Sequence, residues 1–145
     1  MKNGNRLFDI RELNDLTQSE VAKTLNVARQ NYSFWETNAK FIPLIHLNNF
    51  CKIHNVSMDY VMKLSNVKES KYNLNEIDKK IVGNNIKKFR KEHNIKQEEL
   101  AKELNTSQST ISAYESGKTL ILTSFAYFIC EKYDISLDWL CYNTL

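Results

Sequence analysis

Apolar residues in this chain fall at helical spacing in short groups, and the groups come in pairs. In the C-terminal half, Ile77, Ile81, Ile86 and Phe89 predict a long first helix. Leu100, Ala101 and Leu104 mark the inner face of a second helix, and Ile111 and Tyr114 that of a third. A fourth helix is predicted near 123–133 and a fifth after Ser136, a good N-cap. The N-terminal half repeats the pattern with Leu7/Ile10, Val21/Ala22/Leu25, Tyr32/Trp35, Leu44/Leu47/Phe50 and Tyr60/Val61. Thr17-Gln18-Ser19-Glu20 reads as a capping box at the start of its second helix.

The pairing keeps one register. Gln18-Ser19-Glu20-Val21-Ala22-Lys23-Thr24-Leu25-Asn26 aligns without gaps, at an offset of 79, with Gln97-Glu98-Glu99-Leu100-Ala101-Lys102-Glu103-Leu104-Asn105. Upstream, Leu7 and Arg11 match Ile86 and Arg90. Downstream, Trp35-Glu36 matches Tyr114-Glu115, Cys51 matches Cys130, and Ser57-Met58-Asp59-Tyr60 matches Ser136-Leu137-Asp138-Trp139. A repeat of this length predicts two copies of one small domain. The first covers 1–65, a polar linker covers 66–75, and the second domain covers 76–145.

The junction between the second and third helices is very short in both copies: Asn26-Val27-Ala28 and Asn105-Thr106-Ser107. Asn tolerates the left-handed conformation such a turn requires. Ala22 and Ala101 put a minimal side chain where two helices cross closely. This is the helix-turn-helix arrangement, in which the third helix enters the DNA major groove and the second crosses the backbone.

Composition narrows the alternatives. Among 145 residues there are only 3 Gly and 1 Pro, too few for a turn-rich β fold or a glycine-rich phosphate loop. The fold expected is all-α. With 20 Lys and Arg against 17 Asp and Glu, the net charge of +3 permits an anionic partner without demanding one. Residues 84–145 balance 8 basic against 8 acidic side chains, yet Lys87, Lys88, Arg90 and Lys91 cluster on one helix. No apolar run approaches the ~18 residues of a membrane span. Three cysteines and no apolar leader suit a reduced, cytoplasmic setting. His46, His54 and His93 show no zinc-like spacing with Cys. No nucleophile–base pair stands out, so no enzyme activity, metal or cofactor is expected.

These features meet in a resemblance. Both copies resemble the Cro/repressor-type, or XRE, helix-turn-helix domains of lambdoid phages and bacteria. The second copy is the closer match. It carries Ile86-Lys87-Lys88-Phe89-Arg90-Lys91, Gln97-Glu98-Glu99-Leu100-Ala101, Ser107-Gln108-Ser109-Thr110-Ile111-Ser112-Ala113-Tyr114-Glu115-Ser116-Gly117-Lys118, and Ile135-Ser136-Leu137-Asp138-Trp139-Leu140. The resemblance implies two tandem five-helix, lambda-repressor-like domains, with recognition helices near 28–36 and 107–115. It implies phosphate contacts from Gln18 and Gln97, which open the second helices. Ser107, Gln108, Ser109 and Ser112 then become base readers in the second copy, with Gln suited to adenine. The matching residues in the first copy are Ala28, Arg29, Gln30 and Ser33, with Arg29 suited to guanine. Lys40 and Lys118 follow the third helices and would neutralise phosphate. Arg11/Glu36 and Arg90/Glu115 match an ion pair between the first and third helices, and Cys51 and Cys130 match core positions.

The first copy departs from the pattern. Ala28 replaces a Ser or Thr cap, Phe34 a small or polar residue, and Asn38 the usual Gly. The second copy departs at Lys96, where a capping residue is usual, and at Asn105. The run Phe125-Ala126-Tyr127-Phe128-Ile129 carries more apolar surface than one helix face buries. Similar repressors dimerise through their last helices, so a homodimer through helices four and five of the second domain is expected. The reading is a double-stranded DNA-binding transcriptional regulator of repressor type. A linker of about ten residues reaches at most ~33–36 Å, and half-sites one turn apart lie ~34–36 Å apart. The alternative is a protein-interaction or antitoxin-like module on the same scaffold, with only the second domain binding DNA.

Overall fold

A computed structural model describes residues 4–145, which form ten α-helices and no strand among the described residues. The chain divides into two units, the first ending at Glu76 and the second covering Ile77–Leu145. The first unit contains α1 (Leu7–Leu13), α2 (Gln18–Thr24), α3 (Arg29–Glu36), α4 (Leu44–His54) and α5 (Met58–Val61). The second contains α6 (Lys79–Glu92), α7 (Gln97–Glu103), α8 (Gln108–Glu115), α9 (Thr123–Tyr133) and α10 (Leu137–Tyr142).

The helix ends explain the scarcity of glycine. Asp15, Asn26, Asn38 and Asn55 in the first unit have positive φ, and so do their counterparts Asn94, Asn105, Gly117 and Asp134 in the second. These positions close a helix with a left-handed residue, and here Asn and Asp do what Gly usually does. Helix starts are set by side chains. Thr17 and Glu20 form the capping box, with bonds of 3.1 and 2.9 Å. Ser57, Ser107 and Ser136 each accept a backbone N–H three residues on. At Lys96 only the reciprocal half of a capping box exists: the Lys96 N–H donates to Glu99 Oε1 at 3.1 Å.

Each unit buries one core at equivalent positions. Leu7, Ile10, Val21, Leu25, Tyr32 and Phe50 are buried in the first; Ile86, Phe89, Leu100, Leu104, Ile111 and Ile129 are buried in the second. The bulk is redistributed: an aromatic ring comes from α3 in one unit (Tyr32) and from the first helix in the other (Phe89). Cys51, Cys130 and Cys141 are all buried thiols.

The stretch 66–75 lies in the first unit. Ser57 donates its N–H to the Lys68 carbonyl at 2.8 Å and its hydroxyl to the Val67 carbonyl at 3.0 Å. In the second unit, Ile77 precedes the first helix instead of joining it. Asp78 caps that helix by accepting the Lys80 N–H at 2.8 Å.

Candidate nucleic-acid interface

The helix-turn-helix is built the same way twice. Ala22 and Ala101, only 2% and 3% exposed, let the second and third helices approach closely. In the first turn Asn26 N–H returns to the Lys23 carbonyl and Val27 N–H to the Ala22 carbonyl, at 3.1 and 3.0 Å. In the second, Asn105 N–H returns to Lys102 and Thr106 N–H to Ala101, at 3.1 and 2.9 Å. Asn26 and Asn105 share the same left-handed φ, 56° and 55°.

An ion pair ties each third helix to the first, buried in the first unit and partly buried in the second. Arg11 Nε and Nη2 donate to the two Glu36 oxygens at 2.9 and 2.7 Å, and Nη1 donates to the Leu16 carbonyl at 2.8 Å. Arg90 repeats this on Glu115 at 2.6 and 3.0 Å, and on the Ile95 carbonyl at 2.9 Å. Two parallel bonds make the fork-to-fork geometry that only Arg provides. Burial pushes the Glu36 carboxyl up most strongly, but the hydrogen bonds it accepts, led by those from Arg11, together with the Arg11 charge outweigh it and hold the group below the ordinary carboxylate range. The Glu115 hydrogen bond in turn holds the Arg90 guanidinium above its usual range.

The same carboxylates anchor the glutamines that open the second helices. Gln18 Nε2 donates to Glu36 Oε1 at 3.3 Å, and Gln97 Nε2 to Glu115 Oε1 at 3.1 Å. In the second unit the chain of bonds goes one step further, since Gln108 Nε2 donates to Gln97 Oε1 at 3.4 Å. Arg90, Glu115, Gln97 and Gln108 therefore form a continuous polar ladder from the first helix to the start of the third. Arg29 stands at the position of Gln108 in the first unit.

Every residue singled out from the sequence for this face is accessible. Ser107, Gln108, Ser109, Ser112 and Lys118 are exposed in the second unit. Ala28, Arg29, Gln30 and Lys40 are exposed in the first, while Gln18, Ser33 and Gln97 are half-buried. Ser107 caps α8, whereas Ala28 offers α3 no side-chain cap. Phe34 is half-buried, and the Lys40 ammonium lies 4.8 Å from its ring centre. Lys40 and Lys118 are not register partners: they match Thr119 and Ala39. An open groove beside the first turn is lined by Ser19, Lys23, Asn26 and Arg29.

Several supporting residues carried no signal of this kind in the sequence. Asn5 Nδ2 donates to the Trp35 carbonyl and to Asn38 Oδ1, both at 2.9 Å, closing the end of α3. In the second unit α6 extends back to Lys79 and takes over that task. A Cβ on Gly83 would lie 2.3 Å from the Tyr114 carbonyl oxygen and 2.8 Å from that of Glu115. Arg6 and Asn85, also register partners, bind the exit of each fifth helix. Arg6 Nη1 donates to the Tyr60 and Ser65 carbonyls. Asn85 Nδ2 donates to the Trp139, Leu140 and Asn143 carbonyls at 3.2, 3.0 and 2.9 Å. The recurrence of Gly4 as Gly83 was the one legible hint, because two of only three glycines share a register.

Among the described residues no group of His, Cys, Asp and Glu is placed to hold a metal ion. No helix among them is long and apolar enough to cross a membrane.

Comparison with known proteins agrees with this geometry. Residues 7–65 and 86–140 each match a helix-turn-helix family model. The chain is similar to the antitoxin PezA of Streptococcus pneumoniae, 36% identical over 56 residues, which is 39% of this chain and 35% of that protein. It is also similar to YobD of Bacillus subtilis, an uncharacterised HTH-type transcriptional regulator. That match is 27% identical over 84 residues, 58% of this chain and 67% of the relative. The chain thus spans about a third of PezA and about two thirds of YobD. No solved structure matches.

Proposed function

The chain belongs to the XRE-type helix-turn-helix family, and on that premise we propose that it is a sequence-specific, double-stranded DNA-binding transcriptional regulator of repressor type. The observation that carries the reading is the polar ladder Arg90–Glu115–Gln97–Gln108, which holds an exposed recognition face in a fixed attitude. In this reading the major groove receives α8 through Ser107, Gln108, Ser109 and Ser112, and α3 through Arg29, Gln30 and Ser33. Gln18, Gln97, Lys40 and Lys118 meet phosphates, which position the helices without specifying sequence. The chemistry is binding, not catalysis, and the setting is cytoplasmic.

A homodimer through α9 and α10 belongs to the same proposal. Ala126, Tyr127, Ile129 and Cys130 go into the core, but Leu122 stays 56% exposed and Phe128 37% exposed. Light scattering of the full chain at micromolar concentration is expected to give twice the monomer mass, and monomer alone would remove the dimer from the proposal.

The DNA reading is tested by titrating a genomic duplex pool at two salt concentrations. Affinity is expected to fall linearly with salt on logarithmic axes, and Lys118→Ala to reduce that slope by about one. Binding without salt dependence would overturn it. A second reading draws on the similarity to the antitoxin PezA: an antitoxin-like interaction module with only the second domain on DNA. It predicts that Arg29→Ala leaves DNA affinity unchanged.

A further inference from the structure

The two recognition helices are superposable in role and different in chemistry. Both follow a left-handed Asn, both are tied to the first helix by the same Arg–Glu fork, and both expose their first two residues. At those matched positions the side chains are Arg29 against Gln108 and Gln30 against Ser109. The preceding pair is Ala28 against Ser107, and one turn later Phe34 stands against Ala113. Only Ser33/Ser112 and the fork carboxylates Glu36/Glu115 are the same in both helices.

This difference bears on the duplex. A guanidinium has five donors and no acceptor, so on a base edge it selects the two acceptors of guanine, O6 and N7. A carboxamide has one donor side and one acceptor side, and it selects the N7 and N6 pair of adenine. In the second unit the carboxamide is also oriented: Gln108 Nε2 is engaged with Gln97 Oε1. In the first unit Phe34, held against the Lys40 ammonium, adds an apolar surface of the kind that meets a thymine methyl. Two readers of equal geometry and unequal chemistry cannot both be satisfied by one repeated sequence.

We infer that each chain reads a composite target of two dissimilar blocks, one containing a guanine contacted by Arg29 and the other an adenine contacted by Gln108. The inference rests on the DNA-binding reading above, and it replaces a simple repeat with a bipartite site as the ligand.

The test is selection from a random duplex pool with the full chain and two variants. Wild type is expected to enrich two different blocks. Ala28→Ser/Arg29→Gln/Gln30→Ser gives the first recognition helix the leading residues of the second. It should rewrite the guanine-containing block toward the other, with a roughly ten- to hundredfold loss of preference at that guanine. The introduced Ser also supplies the cap that α3 lacks, so the variant is expected to melt no lower than wild type. Gln108→Ala/Ser109→Ala should blur only the second block. Two identical blocks from wild type, a single block, or a triple variant with an unchanged motif would overturn the inference while leaving DNA binding in place. Failure to enrich any duplex would instead overturn the DNA-binding reading and the inference with it.

Discussion

At the scale of single residues, the left-handed asparagines matter most. Asn105 has φ 55° between α7 and α8, where Gly carries no Cβ penalty and Ala carries one of roughly 1–2 kcal/mol. Asn105→Ala is therefore expected to lower the melting temperature of the second unit, and Asn105→Gly to leave it unchanged or slightly raised. A thermal melt of both variants decides it; equal loss in the two would mean that the Asn side chain, not the torsion, holds the turn. These turns were legible from sequence because so few residue types tolerate the conformation. Asp15 and Asn94 take the same torsion one helix earlier, and Asn55 and Asp134 two helices later. Polar residues at surface turns are too common for those to stand out.

At the scale of elements, the first helix of each unit determines how firmly the recognition helix is held. Gly83 brings α6 against the last carbonyls of α8, and a methyl group placed 2.3 Å from an oxygen has nowhere to go. Gly83→Ala is expected to displace α6 or α8, cost about 1–3 kcal/mol as an overpacked contact typically does, and weaken DNA binding beyond the loss of stability. Comparing melting with duplex affinity under conditions where the variant is fully folded checks this; unchanged affinity would show that α8 keeps its attitude without the close contact. Helical periodicity announced α6 to α10 well, because apolar spacing reflects a core common to the family. It could not announce Gly83, Asn5, Arg6 or Asn85, whose effect lies in backbone contacts between distant positions. Nor did it exclude Ile77 from α6, since a helix boundary is set by the Asp78 cap and not by the apolar pattern.

At the scale of the whole molecule, the two units are expected to differ in their response to acid. Burial holds His46 and His54, both in the first unit, below the ordinary imidazole value of 6.5. His46 stacks on Trp35 with ring centres 5.2 Å apart, and His54 lies 4.4 Å from Phe50. A base whose folded value is depressed binds fewer protons folded than unfolded. Its stabilising effect is complete above about 6.5 and is lost as pH falls through the folded value. Glu36, also depressed, adds a loss of the same sign below about 4.5. Melting followed at pH 7.5 and 5.5 through the single tryptophan of each unit, Trp35 or Trp139, is expected to shift more in the first unit. Equal shifts would contradict the assignment to these histidines. The doubling also sets one glycine against its twin. Gly4 sits at φ 69°, where only the torsion excludes an ordinary side chain from an otherwise tolerable space, 3.2 Å from Asn38. Gly83 lies within a right-handed helix, where only the space is lacking. Asparagine, which tolerates a left-handed torsion, separates the two: it suits position 4 and collides with the Tyr114 carbonyl at position 83, so the same letter at the same register answers to two unrelated constraints.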